Sequence, residues 1–117
     1  YFPAAHFRED FSREIAATKQ WFMHEMAHVW QYQLGYPVKL RGAFRLGLSY
    51  TYELDQGKRL ADYNMEAQGD LLADYFALKY LGDPTAMRQG QYAEAIELYE
   101  TVLRDFLADP GNPANLP

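Results

Sequence analysis

The stretch 21-WFMHEMAHVWQ-31 constrains the fold of this chain most strongly, because it combines polar and apolar residues at helical spacing without a glycine or proline. We predict a helix over Arg13–Leu34, with Ser12 as its N-cap. Gly35 stands where a left-handed residue is expected after a helix, and Pro37 blocks any continuation.

The two sides of this predicted helix differ in character. One side carries the apolar residues Ile15, Phe22, Met26 and Val29. The opposite side carries Trp21, His24, His28 and Gln31. Because apolar or aromatic residues occur on both sides, we expect the helix to lie at the centre of the fold and not on its surface.

The remainder of the chain is expected to be mostly helical, with one small extended element. Residues 43–54 alternate between apolar and polar, which predicts a strand or hairpin with one apolar face, and 55–58 (DQGK) predicts a turn. A second helix is predicted over Asp62–Leu81, with Asp62 as N-cap and Gly82-Asp-Pro84 as its stop. A third is predicted over Tyr92–Leu107. The predicted fold class is therefore mainly α (α+β).

Composition limits the classes of function. The 117 residues are expected to form a single domain over 1–117, and because the first residue is Tyr1 and not methionine, we interpret the chain as cut from a longer protein. A net charge of −5 without a basic stripe argues against nucleic acid as a partner, and no apolar run is long enough for a membrane span. Since the chain has no cysteine, any zinc must be bound by histidine, carboxylate or water.

The segment HEMAH has the spacing of a zinc-binding helix. His24 and His28 lie one turn apart, with their Cβ atoms roughly 5–6 Å from each other, so both rings can reach one Zn²⁺ at about 2.0–2.1 Å. Glu25 lies about 100° further around the helix, where it cannot be a third ligand but can contact a water. This is the H-E-x-x-H arrangement of two zinc ligands and a general base.

The alternative is an ordinary helix with two hydrogen-bonded histidines and an exposed glutamate. The chain has only three histidines and eight glutamates, and in such a composition the pattern arises by chance about once in two hundred sequences. The motif also lies within a predicted helix, so we favour the zinc interpretation.

A catalytic zinc needs a third protein ligand, and Glu66 is the candidate in 62-DYNMEAQGDLLAD-74. Gly69, Ala73 and Ala77 give the second helix small residues that another helix can approach closely. An acidic residue in so apolar a helix is costly to bury unless it is paired or metal-bound. The alternative is a solvated glutamate stabilised by the helix dipole.

Several residues near these motifs have two interpretations. Asp70 either accepts a hydrogen bond from a zinc-binding histidine or is a surface acid, and we interpret Asp74 as a surface acid. Trp21 and Gln31 are expected to pack beside the zinc face.

Candidates for stabilising the oxyanion of a transition state are less well defined. Tyr63 and His6 have donors that could do so, although a packed aromatic is the simpler interpretation of Tyr63. Arg45 could reach a cleft from the predicted strand, but a solvated arginine is the simpler interpretation. The edge of 43–54 could pair with an extended peptide.

With HEMAH and 66-EAQGD-70 in hand, the chain resembles the zincin metallopeptidases whose third ligand is glutamate. Thermolysin-like enzymes pair H-E-x-x-H with a later E-x-x-x-D. This chain departs from them in the 37 residues between His28 and Glu66, and it is far too short for a two-lobed enzyme. The segments FMHEMAHVWQYQLG and DYNMEAQGDLLADYF resemble more closely the minimal metallopeptidase domains of bacterial secretion proteins: VgrG effector domains, vgr-related proteins and Rhs-associated toxins.

This resemblance, over roughly residues 7–80, implies a minimal zincin-like fold with an active-site helix, a ligand-bearing helix, a C-terminal helix and a small strand or hairpin. It implies a zinc peptidase toxin delivered by a type VI apparatus, acting on peptides or proteins in a rival's periplasm and neutralised by an immunity protein. Two alternatives stay open: a catalytically silent binding module of a secretion particle, and an amidase of cell-wall peptides.

Overall fold

A computed structural model describes residues 7–38 and 51–117 of the chain. His6, Arg45 and positions 43–50 of the predicted strand lie outside the described residues. The described part is mainly helical and contains no strand. None of its helices combines the length and the apolar character that crossing a membrane requires.

Helix α1 spans Phe7–Gln33 and is longer at its start than predicted. The helix passes through Ser12, so the prediction of Ser12 as N-cap is wrong; no glycine or proline between 7 and 12 interrupts it. The predicted end is confirmed, because Gly35 is left-handed with φ +99°. Gly35 N donates to Tyr32 O at 3.0 Å and Tyr36 N donates to Gln31 O at 3.0 Å, the paired bonds of a Schellman motif.

Helix α2 spans Met65–Phe76 and continues as a π-helical turn over Ala77–Leu81, which ends at the left-handed Gly82. The end agrees with the prediction, but the N-cap is Asn64 and not Asp62. The Asn64 side chain accepts from Ala67 N at 2.9 Å. Asp62 instead closes a short 3₁₀ turn, where its carboxylate accepts from Arg59 N at 2.8 Å. Two acidic or amide residues two positions apart can both cap, and the local backbone decides between them.

The core lies on the polar side of α1, against α2, which is buried from Met65 through Tyr75. The apolar side of α1 is instead exposed at Ile15, Phe22, Met26 and Val29. The expectation of a helix buried on both sides is therefore wrong within the described residues. Ala73 and Ala77, two of the small residues at which close approach by another helix is expected, are fully buried.

The predicted third helix is divided into α3, Ile96–Val102, and α4, Arg104–Ala108. Leu103 between them has φ −90° and ψ 4°, outside the helical region, yet Leu103 N still donates to Tyr99 O at 2.8 Å. Tyr99, Val102 and Leu103 are fully buried. The chain then returns to α1, where Trp30 Nε1 donates to Pro110 O at 2.6 Å.

The described end of the predicted strand, 51–54, keeps the alternation of the sequence but does not form a strand. Tyr52 and Leu54 are buried, and Thr51 and Glu53 are exposed. The Gln89 side chain bonds both backbone groups of Tyr52, accepting from N at 2.9 Å and donating to O at 2.6 Å. One amide side chain thus satisfies the groups that a neighbouring strand would have bonded. The predicted turn after this segment is present at 56–57.

Asp74 is fully buried, so its interpretation as a surface acid is wrong. Its carboxylate accepts hydrogen bonds from Tyr52 Oη at 2.5 Å, Arg88 N at 2.7 Å and Gln89 N at 3.1 Å. Burial raises the pKa of Asp74, while these hydrogen bonds counteract the shift. The same carboxylate joins α2 to the 51–54 segment and to the loop before α3. We infer that it is a structural centre of the domain.

Replacing Asp74 by alanine should destabilise the domain strongly, because the buried donors at Tyr52 and Gln89 and the part-buried donor at Arg88 would lose their acceptor. We expect a loss of roughly 3 kcal/mol or more in the free energy of unfolding, measured by urea denaturation. Asp105→Ala, at an acid whose side chain is 65% exposed, is the control and should change stability little. Equal stability of the two variants would contradict the role of Asp74.

Candidate metal centre

Three side chains from α1 and α2 converge at a buried point between the helices. His24 Nε2 and His28 Nε2 are 3.0 Å apart, and Glu66 Oε1 lies 2.6 Å from His28 Nε2 and 3.8 Å from His24 Nε2. His24 and His28 are each 6% exposed, and Glu66 is 1% exposed. Helical spacing puts the two imidazoles on one face of α1, and the first turn of α2 brings Glu66 against them.

The three converging atoms fit a small cation in both distance and chemistry. Ligands on a tetrahedral Zn²⁺ with bonds of about 2.0–2.1 Å lie about 3.3 Å from one another, and the observed separations of 2.6, 3.0 and 3.8 Å bracket that value. Two imidazole nitrogens and one carboxylate are a donor set of the catalytic zinc kind.

Glu66 Oε1 is buried and has no hydrogen-bond partner within the described part of the chain. This oxygen lies 2.6 Å from His28 Nε2, but the geometry does not allow an N–H of the His28 ring to donate to it. A buried carboxylate oxygen without a donor is costly. A cation at the convergence point would remove that cost.

His24 is oriented by Asp70, which lies one turn beyond Glu66 on α2. His24 Nδ1 is 2.8 Å from Asp70 Oδ1, and because a carboxylate accepts, the ring donates from Nδ1 and directs Nε2 to the convergence point. Burial alone would lower the pKa of His24, but the hydrogen bond to Asp70 and the negative charges of Asp70, Glu66 and Glu25 outweigh it and raise the pKa. The anionic surroundings favour positive charge here.

The His24 ring also lies directly against Gly69. A Cβ at position 69 would stand 2.8 Å from both Cε1 and Nδ1 of His24, closer than van der Waals contact allows. The glycine in the middle of α2 therefore has a packing function: it makes room for the imidazole. The sequence prediction of close approach at the small-residue face is right at this position.

His28 is oriented by Gln31, and sequence reasoning missed this partnership. His28 Nδ1 is 2.8 Å from Gln31 Oε1, and Gln31 is fully buried. The expectation that Gln31 packs beside the histidines is confirmed, whereas Trp21, expected to do the same, is 57% exposed. The signal was the i, i+3 spacing between His28 and Gln31, which puts the two side chains next to each other on a helix.

Glu25 lies at the edge of the centre and is half-buried. One of its carboxylate oxygens lies within 4.8 Å of ligand nitrogens of His24 and His28. Glu25 and His28 line an open cleft of 340 Å³ together with Val29, Tyr32 and Val38. Glu66 lies 2.6 Å from His28 Nε2 and 3.8 Å from His24 Nε2 and is fully covered, while Glu25 faces accessible space. This difference suits Glu66 as a ligand and Glu25 as a group that meets solvent and substrate.

Tyr63 has its hydroxyl engaged elsewhere. It donates to Glu53 O at 2.6 Å, and burial raises its pKa to about 12. The hydrogen bond supports the interpretation of Tyr63 as a packed aromatic, and its catalytic role stays a prediction. His6 and Arg45 lie outside the described residues.

No family model and no solved structure matches the chain. The chain is similar to the Type VI secretion system spike protein VgrG2b of Pseudomonas aeruginosa (strain PAO1), with 47% identity over 76 residues. The match covers 60% of this chain and 8% of the spike protein, so the chain spans under a tenth of the length of this relative. The chain is therefore related to a part of a type VI secretion spike protein.

Proposed function

We propose that the domain is a zinc-dependent metallopeptidase in which His24, His28 and Glu66 bind the metal. The observation that carries the proposal is the convergence of two imidazole nitrogens and an unpartnered buried carboxylate oxygen within 3.8 Å. When each ring carries its single proton on Nδ1, facing Asp70 and Gln31, the two Nε2 lone pairs and Glu66 Oε1 meet in a buried site, and a cation there would pair with all three. Asp70 and Gln31 accept hydrogen bonds from Nδ1 of His24 and His28, respectively, as expected of the partners of metal-bound histidines.

Glu25 is the proposed general base. When bound, a zinc ion at this site would polarise a substrate carbonyl and acidify a water. Glu25 borders the cleft and is near the histidines, so it can accept the proton of the attacking water and return it to the leaving amine. Val29, Tyr32 and Val38 give the cleft an apolar wall that can contact a peptide side chain.

The relationship to a spike protein supports a delivered domain as the biological context. We propose that the domain is carried by a VgrG-type or Rhs-type protein through a type VI apparatus and cleaves peptides or proteins in the periplasm of a target cell. A producing cell would then need an immunity protein against it. The 47% identity to VgrG2b is what supports this context.

Removal of the third ligand should abolish tight zinc binding. We expect Glu66→Ala to lower zinc affinity more than about 100-fold, the upper range for residues that only support a ligand. Competition titration with a chromophoric chelator measures the affinity, and Glu94→Ala, at an exposed glutamate, is the control. If Glu66→Ala binds zinc as tightly as wild type, Glu66 is not a ligand.

Gly69→Ala should weaken zinc binding although alanine favours a helix by about 1 kcal/mol over glycine. The new Cβ would overlap the His24 ring at 2.8 Å and displace it from Asp70. The matched control is Gly90→Ala, because a Cβ at Gly90 meets no atom within 4 Å. Both variants should fold, and only the first should lose affinity in the same titration. Unchanged affinity in Gly69→Ala would show that the ring can move without cost.

Glu25→Ala should retain zinc and lose hydrolysis by about 10²–10⁴-fold, the usual contribution of a general base. Activity is measured as zinc-dependent new N-termini in a periplasmic extract, with chelator-treated enzyme and Glu94→Ala as controls. Purified sacculi are assayed in parallel to detect cleavage of cell-wall peptides. Full activity in Glu25→Ala would refute the mechanism. Zinc binding by wild type without cleavage of either substrate would favour the binding-module alternative.

A further inference from the structure

The two imidazoles are held by chemically different groups. Asp70, behind His24, can only accept a hydrogen bond. Gln31, behind His28, has an amide with an accepting and a donating end. If that amide were turned over, its NH₂ would face His28 Nδ1, and the proton of the ring would move to Nε2. The observed orientation of the Gln31 amide, with Oε1 facing the ring, therefore favours the proton of His28 on Nδ1.

A chain of buried contacts fixes the orientation of the Gln31 amide. Gln31 Nε2 donates to Met65 O at 3.1 Å and to Gln68 Oε1 at 2.9 Å. Met65 O is a carbonyl and can only accept. Turning the Gln31 amide over would place its oxygen against that carbonyl and leave two oxygens in contact.

The Gln68 amide is fixed by the same logic. Its Nε2 donates to two backbone carbonyls, Leu60 O at 2.8 Å and Asn115 O at 3.0 Å. Gln68 is fully buried, as is Gln31, and Asn115 is 5% exposed, so water has little access to the contacts. Both carbonyls require the NH₂ end of Gln68, so Oε1 must face Gln31.

We propose that Gln31 and Gln68 are positioning residues that act in series to hold the proton of His28 on Nδ1. Nε2 then carries a lone pair directed at the point shared with His24 and Glu66. The arrangement extends from the backbone carbonyls of Leu60 and Asn115 to a proposed metal ligand. This inference rests on the proposed function, because a unique ring tautomer matters most when Nε2 must bind a cation.

The hydrogen-bonded residues Gln31 and Gln68 form a relay, which also connects the tail after α4 to the candidate metal centre. Asn115 contributes the carbonyl that holds Gln68, and its own side chain donates to Asp109 O at 2.9 Å. Trp30, two residues from His28, donates to Pro110 O at 2.6 Å. The tail therefore contacts both the helix that carries the histidines and the amide of Gln68, which in turn fixes Gln31.

The test compares Gln68→Met and Gln31→Met with wild type. Methionine preserves the length and approximate volume of glutamine but has no amide. The matched control is Gln89→Met, at another buried glutamine whose side chain makes two hydrogen bonds, both to the backbone of Tyr52 and neither to a histidine. Any loss of stability from removing a buried amide appears in all three variants, whereas a change at His28 appears only in the first two.

The first readout is the ¹⁵N chemical shift of the ring nitrogens in metal-free protein, which distinguishes the two tautomers. We expect His28 of wild type and Gln89→Met to carry its proton on Nδ1. In Gln68→Met and Gln31→Met the His28 signals should move toward a mixture of tautomers, while those of His24, held by Asp70, should stay in place. His28 signals unchanged in both variants would overturn the proposal.

The second readout is zinc affinity by chelator competition. Gln31→Met should lose about tenfold or more, in the range of lost support for a metal-bound histidine. Gln68→Met should show a smaller loss in the same direction, and Gln89→Met none. If wild type binds zinc and Gln31→Met binds it equally well, the relay is refuted and the metal site stands. If wild type binds no zinc, the proposed function fails, and the ¹⁵N comparison still decides whether the relay exists.

Discussion

The desolvation of polar side chains between α1 and α2 is the constraint on which the rest of this structure depends. His24, His28, Gln31, Glu66, Gln68, Asp70 and Asp74 are all buried there. Polar groups in such a place must be paired, because each unpaired group costs on the order of 1–3 kcal/mol. The helices, turns and tail of the domain provide these partners. The pairing is incomplete at one point, where two imidazole nitrogens meet Glu66 Oε1, which has no hydrogen-bond partner among the described residues.

The difference between Asp70 and Gln31 explains why the domain buries a second glutamine, Gln68, beside Gln31. A carboxylate behind an imidazole needs no help to remain an acceptor, whereas an amide needs a neighbour to fix its direction. Gln68 supplies that direction and takes its own from the carbonyls of Leu60 and Asn115. A small domain can in this way orient a ligand with neutral groups, without burying another negative charge beside Glu66 and Asp70.

Asp74 serves the same interface at a different place. It bonds Tyr52 and two backbone amides, and it also accepts from Gln20 Nε2, which lies 3.2 Å from Asp74 Oδ1 and 3.4 Å from Asp70 Oδ1. The acids at positions 66, 70 and 74 thus lie one helical turn apart, and each meets a different set of partners. The proposed ligand, the acceptor behind His24 and the structural centre form one acidic line along α2.

The sequence by itself determined the two helices that form the candidate metal centre and the end of each helix at a glycine. It also determined the spacing that puts His24 and His28 on one face of α1, and Glu66 and Asp70 on one face of α2. These features depend on helical periodicity and on the freedom of glycine to be left-handed, which are local properties. Helix starts, the break at Leu103 and the replacement of a strand partner by Gln89 were not predictable, because neighbouring residues compete for each cap and contacts distant in sequence decide the outcome. Only the tertiary structure decided which side of α1 is buried, that Asp74 is buried, and that Gln31 and Gln68 form a hydrogen-bonded chain that leads to His28. Gln31 bonds Met65 and Gln68 bonds Asn115, and each pair is 34 or more residues apart in the sequence. Such distant pairs produce no periodic pattern from which they could be predicted.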